Sequence, residues 1–100
     1  MLIWICVDSN DAKSAKITKV ADAKFWALVE FDEGVVKSVE FYNSREEFTD
    51  WVDFIILKDK YESYIDYMNE GMMVLCVRQE ESIDEIMEAF KFKELDEVGM

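Results

Sequence analysis

Two kinds of apolar pattern divide the chain. Leu2–Val7 (LIWICV), Phe54–Leu57 (FIIL) and Met72–Val77 (MMVLCV) are short apolar runs without alternation. Runs of this kind are expected as strands covered on both faces, as at the centre of a sheet. Lys24–Phe31 and Val35–Tyr42 alternate instead. In the first of them Phe25, Ala27, Val29 and Phe31 oppose Trp26, Leu28 and Glu30. Asp32-Glu33-Gly34 stands between the two, with Gly to supply positive φ, so the pair is expected as an antiparallel hairpin.

A longer period marks the helices. Ser82 with Glu85 makes a capping box, and Ile83, Ile86, Met87 and Phe90 follow on one face. Asp59 with Glu62 reads the same way. Tyr61, Tyr64, Ile65 and Met68 then recur at helical spacing up to Gly71, which predicts these four turned inward and Tyr67 at the edge as the aromatic most exposed to solvent. Ser44 with Glu47 starts a shorter helix. Ser9–Ala23 has no clear period and is expected as a loop, and the acidic tail from Glu94 is expected to fray. Residues 1–100 then form one α/β domain with a five-stranded mixed sheet in the order 3-2-1-4-5, its second strand antiparallel to the rest.

Charge changes this picture in one place. The chain carries 23 acidic and 11 basic side chains, a formal −12. That balance argues against nucleic acid and anionic membranes, whose affinity comes from basic side chains. Between Asp8 and Lys24 the sign reverses: Lys13, Lys16, Lys19 and Lys24 against Asp8, Asp11 and Asp22 leave +1. Ligands of open α/β sheets bind outside the carboxyl ends of the strands where the winding reverses. Here that crevice lies between the first and fourth strands. The candidates beside it are Asp8, Lys13, Lys16, Lys19, Lys58, Asp59 and Lys60, and the ligand class is a small anion.

The chain has no His, and Cys6 and Cys76 sit inside apolar runs. Both read as buried, reduced thiols, so neither a catalytic residue nor a metal ligand is assigned. The opening apolar run is too short for a signal peptide core, and the cytoplasm is the expected location.

Several stretches, in order, resemble the dinitrogenase iron–molybdenum cofactor biosynthesis family (NifX/NifB-type domains). They are the opening strand ending in Val7-Asp8, the strand–turn–strand Ala23–Glu40, Val52-Asp53-Phe54-Ile55-Ile56, Gly71-Met72-Met73-Val74, and Ser82–Phe90. The resemblance implies a three-layer ribonuclease H-like fold with helices on both faces of the sheet. It also implies a non-enzymatic carrier of iron–sulfur or molybdenum-containing clusters. Many members place a His-Phe-Gly stretch before the second strand; Thr18–Asp22 stands there instead, so no family ligand residue carries over to this chain.

Two other functions compete. One is a protein interaction or regulatory domain without a cofactor, or a homodimer through an edge strand. The other is a ribonuclease H-like nuclease, which needs several carboxylates holding two ions about 4 Å apart. Only Asp8 and Asp59 are placed for that, and the reading is set aside: no enzyme is expected.

Overall fold

The computed structural model describes residues 1–99. Its strands are β1 (Leu2–Val7), β2 (Phe25–Asp32), β3 (Val35–Tyr42), β4 (Phe54–Leu57), β5 (Met73–Cys76) and β6 (Asp96–Glu97). Its helices are α1 (Ile65–Asn69) and α2 (Ile83–Lys91), with 3-10 turns at Val20–Asp22 and Arg45–Glu47. The strands form one mixed sheet in the order β3-β2-β1-β4-β5-β6. β4 is parallel to β1 and β5, and the other pairings are antiparallel.

The five expected strands are therefore extended by a sixth. The tail expected to fray instead lays Asp96 and Glu97 against Cys76 and Leu75, and buries Leu95 and Val98 on either side. Its acidic composition suggested solvent; the alternation of Leu95 and Val98 around the two acids is what docks it. β6 also shields β5 with a short, charged edge that discourages further strand pairing. At the opposite edge β3 is bulged against Glu30 and Phe31.

The sheet has a core on each face. On one, Ile3, Ile5, Val7, Ala27, Val29 and Ile56 pack with Ile83, Ile86, Met87 and Ala89 of α2. On the other, Trp4, Cys6, Trp26, Leu28, Ile55 and Leu57 pack with Tyr67 of α1. The alternation of β2 predicted its own share of each set, Ala27 and Val29 on one face and Trp26 and Leu28 on the other. Ser82 caps α2 through its hydroxyl, which accepts the Glu85 N–H at 3.1 Å, while Glu85 takes the Ser82 N–H at 3.1 Å. The β2–β3 turn holds Glu33 and Gly34 at φ 53° and 81°, the positive pair that a two-residue hairpin loop requires.

The α1 region departs from the pattern. The helix spans only Ile65–Asn69, and Asp59–Glu62 forms a turn rather than a first helical turn. Tyr61, Ile65 and Met68 point outward, at 83%, 55% and 38% exposure, and Tyr67 is buried at 8%. Of the expected inward stripe, Tyr64 alone packs against the core, and the expected surface aromatic, Tyr67, is the ring that is buried. The physical reason is on the sheet itself. Trp4 makes edge-to-face contacts with Trp26, Tyr42 and Phe48, at centroid distances of 5.6, 5.8 and 6.0 Å. These rings cover much of that face, and a short helix carrying one ring completes the cover.

Candidate functional site

The seam between β1 and β4 is closed at each end by a carboxylate. At the amino end, Asp53 accepts the Leu2 N–H at 2.8 Å and the Trp51 indole N–H at 3.2 Å. At the carboxyl end, Glu62 accepts the Val20 N–H at 2.7 Å and the Asp59 N–H at 2.9 Å. Glu62 thereby ties the loop after β1 to the segment after β4. Glu62 is the residue that the capping pattern singled out, but its carboxylate organises a crevice as well as a turn.

A cavity of about 470 Å³ opens beside this tie, lined by Lys19, Val20, Ala21, Arg45, Glu62, Ser63, Asp66 and Tyr67. It lies where the winding of the sheet reverses, on the α1 face. Arg45 forms its inner wall. The guanidinium makes a two-pronged ion pair with Glu70, one hydrogen bond being 3.0 Å, and lies 4.9 Å from the centre of the Tyr67 ring. This pairing holds the Glu70 carboxyl below its usual range, and burial pushes the Tyr67 phenol up. A second cavity of about 450 Å³ lies across Arg45, lined by Trp4, Phe48, Val52, Glu70 and Met72 among others.

The sequence candidates are distributed around this crevice rather than gathered in it. The Ser9–Ala23 loop crosses the end of the sheet. Its first half buries Ala15 and Ile17 in the α2-side core, and its second half rests Val20 and Ala23 on the α1-side core. Asp8 is used inside the loop, its carboxylate accepting the Lys16 N–H at 2.9 Å. The Lys16 ammonium faces Glu81 at 3.9 Å, and Lys13 is exposed. Lys19 lines the cavity and has no ion-pair partner among the described residues. Lys58 is exposed, Asp59 accepts the Tyr61 N–H at 2.8 Å, and Lys60 sits 5.4 Å from the Tyr61 ring centre. Of the lysines, then, Lys19 enters the site, and Arg45, Glu62 and Asp66 join it. Arg45 was hidden from sequence reasoning because it sits in the segment before β4, remote from both strand ends.

The thiols take no part. Cys6 and Cys76 are 2% and 3% exposed, and burial raises both above the ordinary thiol range.

No family profile matches the chain, and no curated protein sequence does. Solved structures do. The crystal structure of a Methanocaldococcus jannaschii protein provisionally assigned as a dinitrogenase aligns with a TM-score of 0.78 at 21% identity, over 99% of this chain and 95% of that one. A solution NMR structure of that protein gives 0.74 at 22%, over 100% and 94%. A Thermotoga protein provisionally assigned as NifB gives 0.69 at 18%, over 96% and 91%. These chains share the fold across nearly their whole length, and their names are those of the family that the sequence resembles.

Proposed function

We propose that this domain is a non-enzymatic binding module of the iron–molybdenum cofactor biosynthesis type, holding an anionic cargo in the crevice lined by Lys19 and Arg45. The strand order, with β2 antiparallel to both neighbours and a helix on each face, is read as ribonuclease H-like. The observation that carries the functional reading is the cavity at the carboxyl ends of β1 and β4, the position where such sheets bind ligands. Two cations and the Tyr67 ring offer an anion charge and a surface to rest on. Asp66 and Glu62 oppose it, and Arg45 is shared with Glu70, so binding is modest and salt-sensitive.

A cluster ligated by this chain does not fit. Thiolate or imidazole is the usual ligand for iron–sulfur clusters; the chain has no His, and its two thiols are buried and protonated. A metal–sulfur cargo would therefore be held by charge and released intact. The two unpaired thiols accord with a reducing compartment, the cytoplasm.

Anaerobic equilibrium dialysis against tetrathiomolybdate, with metal analysis, tests this. The expected result is binding that falls steeply with salt, while reconstitution with iron and sulfide leaves no coordinated iron on the chain. Iron retained after gel filtration at high salt, or tetrathiomolybdate binding indifferent to salt, overturns it.

A second reading has its own observation. Tyr61, Ile65 and Met68, on and just before α1, lie outward. Such a patch fits a protein partner that receives the cargo or replaces it. Its test is the oligomeric state and partner capture of a Tyr61→Ser, Ile65→Ser, Met68→Ser variant, which keeps the buried Tyr67.

A further inference from the structure

The largest described cavity lies elsewhere, under the carboxyl end of α2 and at the amino ends of β1, β4 and β5. It measures about 600 Å³ and is lined by Phe31, Phe54, Met73, Leu75, Phe90 and Leu95, with Lys91, Lys93 and Glu97 among its polar residues. This volume is within the range of small-molecule sites, about 300–1,000 Å³. Its aromatic wall is fixed: Phe90 meets Phe54 and Phe31 edge to face at 5.0 and 5.4 Å.

Both cations are specifically placed. Lys91 reaches from α2 to the hairpin, its Cε 3.6 Å from where a Cβ on Gly34 would stand. Lys93 holds φ at 58° just past the helix end, its N–H donating to the Phe90 carbonyl at 3.1 Å. Glycine is the usual residue there, because a Cβ disfavours that conformation. A lysine in that conformation is a local cost, and Lys93 lines the apolar cavity. Neither lysine has an ion-pair partner among the described residues.

We infer that this cavity is a second binding site, for a small amphipathic anion: an apolar chain or ring seated on Phe54, Leu75 and Phe90, with a carboxylate or sulfonate met by Lys91 and Lys93. Charge complementarity selects this occupant over a neutral hydrocarbon or a cationic amphiphile. The site shares no residue with the Lys19–Arg45 crevice, so each stands or falls alone.

Decanoate titration followed by amide NMR tests the inference on the whole chain. Shifts should cluster at Phe54, Leu75, Phe90 and Leu95, saturating in the millimolar range or below. Decyltrimethylammonium, with the same chain and opposite charge, should bind at least tenfold more weakly. Lys91→Glu with Lys93→Glu should weaken decanoate about tenfold, and Met73→Trp should block the mouth. Lys93→Gly separates binding from folding: the unfolding midpoint should hold or rise while decanoate affinity drops. Equal binding of the cationic analogue, shifts on the α1 face, no shifts at millimolar decanoate, or full affinity in the lysine variants would overturn the assignment.

Discussion

The two faces of the sheet are built by different means. On the α2 face, a nine-residue helix with a complete capping box lays Ile83, Ile86, Met87 and Ala89 on the strands. On the α1 face, a five-residue helix contributes Tyr67 to a layer made chiefly by the sheet's own aromatics. The first face is closed by helix packing. The second is closed by rings, by backbone hydrogen bonds to Glu62 and by Arg45–Glu70 pairing, and it carries the crevice lined by Lys19 and Arg45. Helix packing on the first face still leaves the cavity walled by Phe54 and Phe90 at the end of α2, so the two faces offer ligand space of different kinds: an aromatic-walled one there and a charged one beside Lys19 and Arg45.

The largest expected effects lie where the two faces meet in β1 and β4. Trp4→Ala, on the aromatic face, should cost about 3–5 kcal/mol, and Ile5→Ala and Ile56→Ala, on the α2 face, about 2–5 kcal/mol each. Urea unfolding measures them. Losses below about 1 kcal/mol at Trp4 alone would mean that the aromatic layer is loosely packed.

Gly71→Ala tests the packing of Trp51 at the edge of the aromatic face. Gly71 holds φ at 91°, and a Cβ there would stand 2.4 Å from the Trp51 ring. A cost of about 1–2 kcal/mol from the backbone alone, with displacement of Trp51, is expected. Trp51 fluorescence should report the displacement. Unchanged emission would contradict the contact.

A sharper contrast separates α1's two sides. Tyr67→Ala should cost about 2–4 kcal/mol as a buried truncation, whereas Ile65→Ser should fall within about 0.5 kcal/mol of wild type, as exposed substitutions do. Reversed values would restore the inward stripe that the sequence spacing suggests.

The smallest effect is a pH dependence. Burial raises the Cys6 thiol, which therefore keeps its proton in the folded chain at pH values where the unfolded chain loses it. The resulting stabilisation is complete below the ordinary thiol value of 9.0 and is lost as pH rises through the raised folded value. Stability should decline once pH passes 9.0, and Cys6→Ala should flatten the decline. An unchanged slope would assign it to other groups.

What was legible in the sequence follows the same division. Unbroken and alternating apolar runs identified β1 to β5 and their faces, because strand burial is written directly into side-chain period. The Ser82–Glu85 box with its apolar stripe identified α2 for a similar reason. Tyr61, Tyr64, Ile65 and Met68 carry an equally regular period, yet only Tyr64 packs against the core and the other three are exposed, because the sheet's rings had already filled the space. β6 escaped notice since two acids between Leu95 and Val98 look like a solvated tail until β5 is there to pair with. The winding rule pointed to the crevice between β1 and β4; of the residues expected beside it, Lys19 lines the α1-face cavity, where Arg45, Glu62 and Asp66 join it. Lys13 and Lys16 neighbour Lys19 in sequence, yet Lys13 is exposed and Lys16 faces Glu81, while Arg45 arrives from a segment with no sequence signal linking it to the strand ends.

The central claim is that an anion enters on the α1 face between the ends of β1 and β4. Amide NMR with tetrathiomolybdate at low salt tests it most directly. The account predicts shifts at Lys19, Val20, Ala21, Ser63, Asp66 and Tyr67, lost in a Lys19→Glu, Arg45→Gln variant whose remaining spectrum stays folded. Shifts confined to Lys13 and Lys16, or to the amino ends of the strands, or unaltered in the variant, would contradict it.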